Sequence, residues 1–149
     1  MPESPLVGGW RLVAMESHFS DGRVTRPLGD ELDGYLIYSA EGWVSAMVLQ
    51  ANRQFLKTGY GPLRSLTAEE RESVLSTANT VYQATYTISG DMVTHNIKAS
   101  VHPNGVGRDE VRAFKIAGNR LILTTPPRNT PSGSMTIEIV WERVESTDA

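Results

Sequence analysis

Three side chains carry chemistry on segments that alternate like β-strands: Glu16, His95 and Arg112. An imidazole changes charge near neutral pH and can serve as acid or base. A guanidinium holds a carboxylate or an enolate by charge and directed hydrogen bonds. If all three face one interior, burial requires that they pair with one another or meet a polar ligand. Two arrangements meet that requirement. One is an internal network, with Arg112 on Glu16 and His95 on Tyr86 or Ser45. The other is a reactive site with His95 as general acid or base, Arg112 as anion stabiliser, and Glu16 or Tyr82 as orienting partner.

Other site chemistries fit less well. The chain has no cysteine, which excludes disulfides, thiolate catalysis and cysteine-ligated metals. Its histidines, His18, His95 and His102, lie on separate segments without metal-ligand spacing, so no metal is expected. Gly105-Val106-Gly107 lacks the spacing and the following helix of a phosphate loop, and Ser45 lacks a nucleophile elbow. No cofactor is expected. A net charge of −3 over 149 residues, both signs scattered, argues against a nucleic-acid partner. No apolar run approaches the roughly 18 residues of a membrane span. The segment Met1-Pro2-Glu3-Ser4 has no basic or apolar signal region, and a cytoplasmic location is expected.

The elements that must position these residues are short alternating segments separated by turn chemistry. They run Trp10–His18, Tyr35–Ser39, Trp43–Gln50, Val81–Ile88, Met92–Ser100, Val111–Ala117, Arg120–Thr125 and Met135–Val144. Thr67-Ala68-Glu69-Glu70 forms a capping box and opens a helix over about 67–80, with Val74, Leu75 and Ala78 on one face. Connections after the second, fourth and sixth strands are two or three residues long; the others are longer. That alternation predicts an all-β domain over 1–149: an eight-stranded antiparallel up-and-down barrel with one helix between strands three and four. A two-sheet sandwich is the competing architecture. Residues 145–149 are expected to be a disordered tail.

One parity of each strand then faces the interior. Anchored on Trp10 inside and Lys115 outside, the inward set includes Leu12, Ala14, Glu16, Tyr38, Trp43, Ser45, Met47, Tyr82, Tyr86, His95, Ile97, Arg112, Phe114 and Leu123. Tyr38, Ser45, Met47, Tyr82, Tyr86, Ile97, Phe114 and Leu123 are the candidate ligand contacts, mixing apolar bodies with hydroxyls. The same residues would also fill a solid barrel core. Met47, with Phe55 and Tyr60 of the long loop, would form an adaptable gate at the mouth.

Several segments together look familiar. Gly8-Gly9-Trp10, within Leu6–Val13, resembles the Gly-x-Trp opening of the lipocalin superfamily. Gly34–Tyr38 with Gly42–Ser45, Val93-Thr94-His95, and Asn104–Gly107 continuing to Arg112 resemble the bacterial lipocalin-like domain family nearly end to end. The resemblance implies a small-molecule-binding barrel. It also implies a structural pair, with Arg143 of Trp141-Glu142-Arg143 packing across Trp10. The chain departs from secreted lipocalins in having no disulfide and in placing its helix between strands three and four.

The leading expectation is a barrel that binds one small hydrophobic or amphipathic metabolite in its interior. A cofactor-independent isomerase, cyclase or lyase using His95, Arg112 and Glu16 is the alternative from another class. A homodimeric interaction module, joined through outward Val44, Ala46 and Val48, is the third.

Overall fold

In the computed structural model, which describes residues 4–146, eight long strands close into one antiparallel barrel. They are β1 (Gly8–Phe19), β2 (Tyr35–Tyr38), β3 (Trp43–Gln50), β4 (Ala78–Ser89), β5 (Met92–Ser100), β6 (Asp109–Ala117), β7 (Arg120–Thr124) and β8 (Gly133–Arg143). Each strand pairs with its neighbour in sequence, and β1 also pairs with β8, with Trp10 opposite Arg143. Among the described residues, closure leaves no long exposed sheet edge. The tail expected at 145–149 lies outside the described residues from 147 onward.

The short turns gather at one end of the barrel and the long connections at the other. Three short pairings extend the wall: Val24–Thr25 on β1, Leu32–Asp33 on β3 and Arg128–Thr130 on β8. Gly34 is obligatory where β1, β2 and β3 converge. Its φ is 152°, and a Cβ there would sit 1.9 Å from the Met47 carbonyl oxygen.

Helix α1 spans Ala68–Ser76, and both halves of the capping box form. The Thr67 hydroxyl accepts from the Glu70 amide at 3.2 Å, and the Glu70 carboxylate accepts from the Thr67 amide at 3.0 Å. The helix is shorter than the expected 67–80 because Ala78 and Thr80 already pair with Leu49 and Val48 of β3. It buries none of its own residues.

Two strands correct the expected inward set. In β1, Leu12 pairs with Trp141 but Ala14 pairs with Val140, so Val13 is an extra residue and the strand is bulged. A bulge inverts the alternation beyond it. Met15 and Ser17 are therefore buried, and Glu16 points to the outer face. In β3, the three-residue loop Ala40–Gly42 pairs Ser39 with Trp43, the Ser39 amide donating to the Trp43 carbonyl at 2.8 Å. Trp43 shares the outward face of Ser39, and Val44 joins Tyr38 inside. Trp43 and Met47 are exposed, while Val44, Ala46 and Val48 are buried. Ser45 and Met47 thus line the outside of the barrel rather than its interior. Val44, Ala46 and Val48 belong to the core, so the dimer face drawn from them does not exist.

The core fills the barrel from the sealed end to its middle. Leu6, Trp10, Leu36, Tyr38, Ala84, Val93, Leu121 and Trp141 are each at most 1% exposed. Leu6 comes from the segment before β1, which folds across the floor. The Trp10 indole N–H donates to the Leu6 carbonyl at 3.0 Å. The Arg143 guanidinium lies 4.0 Å from the Trp10 ring centroid and donates to the Val7 and Pro5 carbonyls at 2.9 and 2.8 Å. Cation–π attraction and carbonyl caps together fix the closed end.

Candidate functional site

Above this core a cavity of about 600 Å³ opens at the mouth. β4 contributes Ala78–Tyr82; β5 contributes Ile97 and Ser100; the β5–β6 loop contributes Val101–Gly105 and Arg108; β6 contributes Glu110 and Arg112. Leu75 of α1 borders it. The volume is that of an ordinary small-molecule pocket.

The polar groups of the site follow from register. Val93 is buried and lies opposite Arg112, and His95 lies opposite Glu110. Residues directly opposite on paired strands share a face. Glu110 and Arg112 therefore form an inward column on β6, and Arg108, just before the strand and 67% exposed, joins it at the rim of the cavity. Arg112 donates from Nη2 to Glu110 Oε2 at 3.0 Å and from Nη1 to the Val111 carbonyl at 2.8 Å. Arg108 Nε is 3.5 Å from Glu110 Oε1. Two guanidinium groups against one carboxylate leave this column with one excess positive charge.

His95, 2% exposed, sits beneath the cavity between two phenols. Its Nε2 lies 2.7 Å from the Tyr38 hydroxyl and its Nδ1 lies 2.6 Å from the Tyr82 hydroxyl. Burial, reinforced by the Arg112 charge, pulls the imidazole down to about 4, so the ring is neutral at physiological pH. Burial also pushes the Tyr82 phenol up to about 12 and the Tyr38 phenol well above its usual range. The three rings form a neutral, hydrogen-bonded chain. Only Tyr82 borders the cavity.

The expected site residues separate into four places. Tyr82, Ile97 and Arg112 line the cavity, with His95 directly behind Tyr82. Tyr38 and Tyr86 lie deeper, their rings edge-to-face at 4.9 Å, and the Tyr86 hydroxyl donates to the Ser39 carbonyl at 2.7 Å. Phe114 and Leu123 pack in the core. Ser45, Met47 and Glu16 lie outside. Arg112 pairs with Glu110 rather than Glu16, and His95 bonds Tyr38 and Tyr82 rather than Tyr86 or Ser45. Phe55 and Tyr60 are fully exposed and form no gate with Met47.

Glu16 instead belongs to a cluster on the outer wall. Arg26 donates to its Oε2 at 3.0 and 3.1 Å, and His18 Nε2 lies 3.1 Å from its Oε1 and 3.2 Å from Glu138 Oε2. The Arg26 hydrogen bond, assisted by His18, holds the Glu16 carboxyl below its usual range. One ligand atom from each of Glu16, His18 and Glu138 falls within 4.8 Å of the others, close enough to share a cation. The sheet separates this cluster from the cavity.

Glu110 and Arg108 are site residues that sequence reasoning missed. Their signal was present in the spacing Arg108-x-Glu110-x-Arg112, which continues the inward alternation of Arg112 past the expected strand start at Val111.

A closed antiparallel barrel with a sealed floor, an open mouth and a mouth-side cavity defines a small-molecule-binding class of fold. The family model for the lipocalin-like domain matches residues 7–144, and the chain belongs to that family, whose barrels typically bind small molecules. A lipocalin-like protein from Bacteroides uniformis ATCC 8492 is similar in structure at 13% identity and a TM-score of 0.46, covering 95% of this chain and 100% of that one. An uncharacterized protein from Bacteroides eggerthii DSM 20697 is similar at 12% identity and a TM-score of 0.44, covering 93% and 99%. No curated protein matches the sequence.

Proposed function

We propose that this barrel binds one small amphipathic metabolite at its mouth, with the apolar part toward Ile97 and the polar end toward Tyr82, Glu110 and Arg112. The observation that carries this reading is the 600 Å³ cavity, whose charged column and single phenol stand in an otherwise mixed lining. A ligand that placed only apolar atoms there would desolvate the guanidinium and phenol donors left over from their bonds to Glu110, Val111 and His95. Family membership supports small-molecule binding in general.

Binding accounts for the site better than acid–base catalysis by His95. Both of its ring nitrogens are occupied by tyrosines, and its only route to the cavity passes through Tyr82. A general acid or base must reach the proton it transfers. Native mass spectrometry of freshly purified protein tests the proposal. A one-to-one small-molecule adduct is expected, and Thr80→Trp, which places an indole in the half-buried cavity wall, should abolish it. An adduct that persists undiminished in folded Thr80→Trp would place the ligand elsewhere.

A further inference from the structure

The chain Tyr38–His95–Tyr82 contains more protons than hydrogen bonds. A neutral imidazole carries one N–H, and each phenol carries one O–H. Three protons therefore serve two contacts, Tyr38–Nε2 and Nδ1–Tyr82. One hydroxyl proton is left over, and its position depends on the imidazole tautomer.

If Nε2 carried the ring proton, it would donate to Tyr38, and Tyr82 would donate to Nδ1. The spare proton would then sit on Tyr38. That side chain is 1% exposed, and among the described residues its hydroxyl has no hydrogen-bond partner but His95. A buried donor without an acceptor keeps its full desolvation penalty. If Nδ1 carries the proton, Tyr38 donates to Nε2, Nδ1–H donates to the Tyr82 oxygen, and the spare proton lies on Tyr82. Tyr82 borders the cavity, where water or a ligand can accept it. Both arrangements run every bond in one direction, so what separates them is the phenol at which the chain ends: buried Tyr38 or cavity-lining Tyr82.

We infer that His95 is held as the Nδ1–H tautomer and that Tyr38 and His95 aim the Tyr82 O–H into the cavity as a dedicated donor for a ligand oxygen. The charged groups on and just before β6 decide the charge of that oxygen. Arg108 and Arg112 outnumber Glu110, and Arg112 on β6 borders the same cavity as Tyr82 on β4, near enough for its charge to act on the phenol. The ligand class is an amphipathic carboxylic acid, its carboxylate between Tyr82 and Arg112 and its apolar body along the rest of the cavity. This rests on the mouth-binding reading and deepens it. Tyr82 and Arg112 are binding residues. Tyr38 and His95, which do not touch the ligand, are positioning residues.

Two measurements test it. Long-range proton–nitrogen NMR of the His95 ring, with no ligand present, should show Nδ1 protonated and Nε2 bare; the opposite tautomer overturns the assignment. Tyr38→Phe should lose that fixed state, the two ring nitrogens moving toward a mixture, which loss of packing alone would not produce. Calorimetric titration with decanoate and decanol then compares an ionised head with a neutral one. Wild type should favour decanoate, and Tyr82→Phe, which keeps the ring, should weaken decanoate about tenfold while leaving decanol within about twofold. Equal affinity for both probes in wild type would overturn the donor site and leave the cavity reading standing. Binding of neither would overturn both.

Discussion

The two ends of this barrel are made from the same strands and differ in what their polar groups do. At the floor, the Trp10 indole N–H is matched by Leu6 and two Arg143 nitrogens are matched by Val7 and Pro5. The surroundings are apolar and closed. Among the described residues, Trp141 Nε1 is the one buried side-chain polar atom there without a partner. At the mouth, Arg108, Glu110, Arg112 and Tyr82 keep donors and acceptors facing a cavity. The difference follows from the connections. Two- and three-residue turns bring β-strand ends together tightly enough to exclude solvent, whereas long loops hold them apart. Buried, largely matched packing is concentrated at the first end, and the proposed recognition site lies at the second.

Substitutions can break that division or sharpen it. The largest effect is expected from Trp10→Ala, which removes a fully buried indole and its cation–π partner and should cost about 3–5 kcal/mol in denaturant unfolding. An affinity for decanoate that persists in the surviving folded fraction would show that the floor does not bind. Nearly as large is a pH effect at the boundary between the two regions. The folded His95 value is about 4, below its usual 6.5, so the unfolded chain binds the extra proton first as pH falls. Stability should therefore be complete above about pH 6.5 and decline toward pH 4 by on the order of 3 kcal/mol. His95→Gln should flatten that part of the profile; an unchanged slope would show that His95 is not its source.

At the mouth the effect shifts from stability to affinity. Arg112→Met, which keeps the aliphatic stem, should change stability by no more than about 1 kcal/mol yet weaken carboxylate binding about tenfold, read by calorimetry. A large stability loss with unchanged affinity would make Arg112 a floor-like residue. The smallest effect belongs to the outer wall: Ser45→Ala and Met47→Ala should each stay within about 0.5 kcal/mol of wild type and leave affinity unaltered.

The barrel itself was legible because alternation and connection lengths encode it. Strand count, the three tight turns and the helix cap all follow from residue types at fixed spacing. The face of individual residues was less legible. Nothing in the composition of Leu12-Val13-Ala14 marks the bulge that turns Glu16 outward, because a bulge is set by pairing with β8. In β3, the expected parity put Trp43 inside, while the pairing across Ala40–Gly42 decides the opposite. The His95 partners depend on register across four strands, so Tyr82 and Tyr38 emerge as its neighbours only when the sheet is closed. Arg108 and Glu110 were readable by extending the alternation of Arg112 two steps back toward the start of β6 and just beyond it.

The most direct test of the division between floor and mouth is a decanoate titration followed by amide chemical shifts in proton–nitrogen NMR. The expected result is saturable shifts at Ala78–Tyr82, Ile97–Asn104 and Arg108–Arg112, with Leu6–Trp10 and Trp141–Arg143 unmoved. Shifts confined to the floor, or no saturable shifts at the mouth, would contradict the account.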